Sequence, residues 1–153
     1  MSSAFVKERE GGEAFEDLPD RPISPHTNFV TPQGLAQMEA EVARLQSEFS
    51  ALTPGAKADE ARVTRDLAYW TARLGSAELV EPMSGDTVHF GSTVTIVKED
   101  DTRQTFRIVG EDEADPADGS VSHVSPLTRA LIGKGVGDEA VVAGQSVEII
   151  AVD

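Results

Sequence analysis

Two runs of apolar residues at alternating spacings of three and four constrain this chain more than any other feature. Leu35, Met38, Val42, Leu45, Phe49 and Leu52 follow one another at 3, 4, 3, 4 and 3 residues, and Val63, Leu67, Trp70, Leu74 and Ala77 at 4, 3, 4 and 3. That spacing places each set on one narrow stripe of an α-helix, the seam of a coiled coil. Thr31 followed by Pro32 reads as a helix start, with a hydroxyl N-cap and a proline at the first helical position. Thr53-Pro54-Gly55 stops the first run and offers caps for the second, which Glu81-Pro82 ends. A breaker this short joins the stripes as an antiparallel helical hairpin, because each needs the other for burial. Residues 32–52 as helix span about 30 Å at 1.5 Å per residue. Period alone leaves a projecting arm and a packed αα-hairpin equally open.

After Pro82 the period changes to two and β-branched residues accumulate. Val88 with Phe90, residues 93–97, 105–109, 120–124, 140–143 and 147–152 read as strands, the last two closing around Gly144-Gln145. One short helix interrupts them. Ser125 caps it, Pro126 sits at its first position, Leu127, Ala130 and Leu131 face inward, and Gly133 ends it. The expected fold class is α+β: an N-terminal antiparallel helical hairpin over 29–82, then an antiparallel sheet of five or six strands with one short helix over 83–153.

Residues 1–28 have neither period. Their apolar residues are sparse, acids outnumber bases, and Pro19, Pro22 and Pro25 favour extended, polyproline-like backbone. Composition predicts a disordered acidic tail, with a short docking segment as the sharper alternative. Thirteen Lys and Arg against 27 Asp and Glu leave a net charge of −14, which repels a phosphate backbone and argues against broad nucleic-acid binding. No apolar run approaches the roughly 20 residues of a membrane span, and no basic-then-apolar leader opens the chain. Without Cys there is no disulfide, thiolate metal site or cysteine nucleophile, and His26, His89 and His123 are too scattered for a zinc site. An acidic, cytoplasmic monomer is the expectation.

Enzyme signatures are missing: no phosphate loop, nucleophile elbow or paired-histidine metal motif occurs. Ser125 and His123 lie two apart on a strand, which reads as a chance pairing. The run Glu111-Asp112-Glu113-Ala114-Asp115 lacks the glycine and distal glutamate of a calcium loop and reads as a solvated turn. Asp59 and Glu60 fall near the hairpin tip. There they favour the positive end of the second helix, or else offer ligands to a metal held by another protein.

Val30-Thr31-Pro32-Gln33-Gly34-Leu35, the hairpin, the segment Phe106-Arg107-Ile108-Val109-Gly110-Glu111-Asp112-Glu113-Ala114-Asp115 and the run from Ser122 through Ser125-Pro126 to Gly133-Lys134, with Val136-Gly137-Asp138, resemble the bacterial GreA/GreB transcript elongation factors. The Leu18-Pro19-Asp20-Arg21-Pro22 stretch is similar to the N-termini of GreB-like members. The resemblance implies a coiled-coil arm and a C-terminal domain similar to FKBP-type isomerases. That domain docks at the entrance of the secondary channel of RNA polymerase, while two acids at the arm tip help the polymerase hold a magnesium ion and cleave backtracked RNA. It also implies that Val124, Ser125 and Pro126 dock on the polymerase rim, with Val124 where the family carries a polar residue.

The arm departs from the family pattern. The tip string of Asp, two residues, then Glu-Asn is absent between Leu52 and Leu67, and each helix is shorter by roughly ten residues, about 15 Å of reach. The expected function is therefore a polymerase-binding regulator with a short modulating arm and weak cleavage stimulation, not itself an enzyme. It carries no cofactor of its own, any magnesium belonging to the polymerase, and recognises no DNA sequence and no membrane. A competent cleavage factor using Asp59 and Glu60 is the alternative. A prolyl isomerase is a weaker one, with only Phe90 and Phe106 as aromatics for a pocket.

Overall fold

The computed structural model describes residues 18–153, which divide into two compact units. One comprises residues up to Pro25 together with Ala36–Ser76, and the other comprises His26–Leu35 with Ala77–Asp153.

The first unit is the helical hairpin. Helix α1 covers Pro32–Ser50 and helix α2 Lys57–Ser76. The turn between them closes through Ala56 N donating to Thr53 O at 3.1 Å, with Gly55 in the left-handed region at φ 90°. Thr53-Pro54-Gly55 thus acts as the breaker the sequence implies, and α2 starts two residues beyond it at Lys57. Along the seam Met38, Leu45 and Val63 are buried, while Phe49, in the last turn of α1, is 46% exposed. The surprise is Arg73, which is 1% exposed although charged residues are almost never fully buried. On the hairpin surface Arg62 of α2 pairs with Glu48 of α1, and Arg44 bridges Glu41 at 2.6 Å and Glu48 at 3.2 Å.

Residues 18–25 belong to this same unit and carry specific contacts with α2, whereas residues 1–17, the rest of the expected disordered tail, lie outside the described residues. The guanidinium of Arg21 lies 3.9 Å from the centroid of the Tyr69 ring and 3.4 Å from Asp66 Oδ1.

The second unit holds a five-stranded sheet: β3 (Thr93–Lys98), β4 (Arg103–Val109), β5 (Ser120–Ser122), β6 (Glu139–Val142) and β7 (Gln145–Val152), in the order β5-β4-β3-β7-β6. The β3–β4, β3–β7 and β6–β7 pairings are antiparallel. The edge pair β4–β5 is parallel, so the sheet is mixed, not purely antiparallel as expected. The physical reason is the link between them, which includes a 3-10 turn at Pro116–Asp118 and carries the chain back along β4 to the level of Arg107 before β5 begins. Helix α3 (Pro126–Leu131) packs on the sheet, and Val88, Val94, Ile96, Phe106, Ile108, Leu131, Ala140, Val147 and Ile149 form the core.

Three local expectations change. Val88 and Phe90 form no strand. A turn with Gly91 at φ 88° and Ser92 N donating to His89 O reverses the chain there, although Val88 is buried. The β6–β7 hairpin turns at Ala143-Gly144, both at positive φ, and Gln145 already pairs with Val142. A small parallel ladder also joins β1 (Phe29–Val30) to β2 (Glu78–Leu79), so the chain leaves and re-enters the sheet unit at adjacent positions. Two-residue strands have no period to read.

Candidate functional site

The segment 124–126 is built as a cap. Ser125 Oγ accepts from Thr128 N at 3.3 Å and donates to Thr128 Oγ1 at 3.1 Å, and Thr128 Oγ1 donates to Ser122 O at 2.9 Å. Thr128 is fully buried, so this chain of hydrogen bonds ties the start of α3 to the end of β5. Ser125 is extended at φ −66° and ψ 152°, as an N-cap requires, and Pro126 follows at the first helical position. Val124 is half-buried, held by its N–H donating to Ser122 Oγ at 3.2 Å, while Pro126 is exposed. The structure therefore presents 124–126 as one rigid turn with an apolar outer edge.

The His123 ring is held in an aromatic cluster. Strand β5 ends at Ser122, and the His123 ring is met edge-on by Phe29 at 5.4 Å and by Phe90 at 5.5 Å. Phe90 is thereby engaged in a ring cluster, and Phe106, 2% exposed, is part of the core.

At the hairpin tip Asp59 and Glu60 occupy the first turn of α2. Both are exposed, and Asp59 lies 3.9 Å from Arg62. Neighbouring helical positions point about 100° apart, so the two carboxylates diverge. Among the described residues no three His, Asp or Glu gather as a metal site. A diverging pair of carboxylates, one of them beside a guanidinium, does not fit a resident metal ion.

One residue has a role that sequence reasoning missed. Glu113, expected in a solvated turn, accepts hydrogen bonds from Thr31 N at 3.1 Å, from Thr31 Oγ1 and from Gly110 N at 3.0 Å. Thr31 Oγ1 in turn caps α1 by accepting from Gly34 N at 3.0 Å. The carboxylate sits so close that a Cβ at Gly34 would collide with it, and one at Gly110 would strike the carbonyl of Phe29. A carboxylate at a helix N-terminus also meets the positive end of the helix dipole. The one sequence signal was Gly34, a poor helix former in a first turn, which marks a close approach.

Residues 83–153 match the family of the GreA/GreB transcription elongation factor C-terminal domain. The GreA of Beijerinckia indica is 36% identical over 149 residues, an alignment covering 80% of this chain and 95% of that protein. The chain belongs to the GreA/GreB family of transcription elongation factors. The GreA of Nitrobacter hamburgensis is 42% identical over 99 residues, 63% of this chain and 58% of that protein. Several curated GreA relatives are matched over only about half their length (43%, 47% and 54%). Among solved structures, GreA factor homolog 1 of Thermus thermophilus is 22% identical with a TM-score of 0.42, covering 84% of this chain and 99% of that one.

The GreA/GreB domain match contains both the Ser125-Pro126 turn and Glu113 and begins after the hairpin, so Asp59 and Glu60 lie outside it. No helix among the described residues is long and apolar enough to cross a membrane.

Proposed function

We propose that this GreA/GreB-family chain binds bacterial RNA polymerase at its secondary channel, with the sheet unit as anchor and the helical hairpin as a short arm that modulates elongation without strong stimulation of transcript cleavage. The observation that carries this reading is the placement of Asp59 and Glu60. They follow one another in the first turn of α2, and Asp59 is near Arg62. A shared cation needs convergent oxygens at about 2.1 Å, and consecutive helical positions do not converge. The rigid turn at 124–126 supports the anchoring role, since an apolar, pre-ordered edge costs little entropy on docking. In this reading the chain acts as a cytoplasmic monomer, performs no covalent chemistry, and holds no metal, the polymerase supplying the magnesium. Its charge of −14 disfavours direct grip on nucleic acid.

The test uses a stalled, backtracked elongation complex with labelled RNA. Adding the protein is expected to leave the rate of short 3′-fragment release near its intrinsic value, while a competent GreB competes with it for the complex. Acceleration that Asp59→Ala with Glu60→Ala abolishes would replace this reading with a full cleavage factor.

A further inference from the structure

Residues 18–25 make contacts with the hairpin that the proposed polymerase binding does not use. Pro19, Pro22 and Pro25 recur at every third position, and all three are exposed. Leu18, Arg21 and Ser24 recur at the same interval, and all three are half-buried. A polyproline helix has three residues per turn, so the segment offers one ridge of prolines to solvent and a second ridge to the hairpin. Arg21 is the centre of that second ridge. Its guanidinium lies 3.9 Å from the Tyr69 centroid and 5.9 Å from that of Trp70, with Asp66 Oδ1 at 3.4 Å from Nη1. Tyr69 and Trp70 are themselves set edge to face, 5.2 Å apart at 89°. One amino acid group away, Leu18 and Asp20 wall a groove with Lys57, Glu60, Arg65 and Ala68 of α2.

Aromatic rings beside a carboxylate form a site for an arginine, through cation–π contact and an ion pair, and the prolines on the far ridge hold the segment extended so that the arginine is preplaced. We propose that α2 carries an arginine-reading face of two aromatic rings and a carboxylate, and that residues 18–25 fill it in cis as a displaceable strap. The strap docks readily because its prolines leave little backbone entropy to lose. It is also releasable. Arg21 keeps 37% of its side chain exposed, and Asp66 is shared with Arg65 at 3.3 Å, so no single contact is sealed from water. The hairpin therefore has a covered state and an uncovered one. The uncovered state exposes Asp66, Tyr69 and Trp70 as a surface fitted to an arginine carried by an extended segment.

Trp70 is the only tryptophan in the chain, so its fluorescence reads this face directly and without polymerase. Failure here would thus leave the polymerase reading untouched. In the full chain, Arg21→Ala should raise the acrylamide quenching constant of Trp70 by about twofold as the side chain covering the Tyr69–Trp70 pair is lost. Arg21→Lys, which keeps the charge but not the planar stack, should fall between the two. A synthetic peptide of residues 18–25, added at millimolar concentration to the Arg21→Ala chain, should restore the lower constant, and the same peptide with alanine for arginine should not. Far-UV circular dichroism confirms that the variants keep their helix. An unchanged quenching constant in both variants, or equal protection by the two peptides, would overturn the strap.

Discussion

Glu113 shows how one side chain can join distant parts of a sequence. Its carboxylate receives three donors from Thr31 and Gly110 and occupies the space a side chain at position 34 would need. Two predictions follow from that geometry. Glu113→Ala strands the amides of Thr31 and Gly110 and should cost about 1–3 kcal/mol in urea unfolding. Gly34→Ala should also destabilise, by about 1–3 kcal/mol, even though alanine is the better helix former by about 1 kcal/mol. The two are not independent, because the first removes what the second strikes. The double variant should lose less than the sum, with a coupling of at least about 0.5 kcal/mol. Additive losses would show that the collision at Gly34 is relieved some other way.

The hairpin and the β6–β7 turn each make a testable element. Glu48's carboxyl is held below the usual carboxylate range, first by the hydrogen bond from Arg62, and Glu41's first by that from Arg44. A carboxylate lowered on folding stabilises the folded state at pH above its unfolded value and loses that contribution as pH falls through the folded one. Helical signal should therefore weaken on acidification from about pH 4.3 downward, less steeply in Arg62→Ala and in high salt. These pairs are exposed, so the effect is small and screened. The turn offers the opposite sign. Ala143 and Gly144 adopt φ 51° and 79°, the mirror-image turn that favours Asn-Gly. Alanine is strained there, and Ala143→Asn should raise stability by about 0.5–1 kcal/mol in thermal unfolding.

In the proposed binding to polymerase, the hairpin tip and the 124–126 turn of the whole molecule contribute unequally. Exposed carboxylates at the hairpin end interact through screened charge, whereas the 124–126 turn is rigid and apolar at its edge. Interfaces draw most of their affinity from a few well-packed residues. Asp59→Ala with Glu60→Ala should leave competition against a full-length GreB nearly unchanged, while Val124→Asp or Pro126→Ala should weaken it more. A tenfold loss, about 1.4 kcal/mol, from the tip pair alone would make the hairpin the principal contact.

The sequence by itself determined the elements whose signals are local and repeated. The hairpin followed from an unbroken three-four spacing, its breaks from Thr31-Pro32 and Thr53-Pro54-Gly55, and the start of α3 from Ser125-Pro126, since caps and prolines act within a few residues of themselves. Only the tertiary structure decided the parallel placement of β5, the two-residue ladder of β1 and β2, the burial of Arg73 and the partners of Arg21 and Glu113. Each of these depends on groups far apart in the chain. Glu113 meets Thr31 across 82 residues and Arg21 meets Asp66 across 45, and no local pattern encodes an encounter at that separation. An acid in a polar run looks solvated until the fold brings a helix terminus to it.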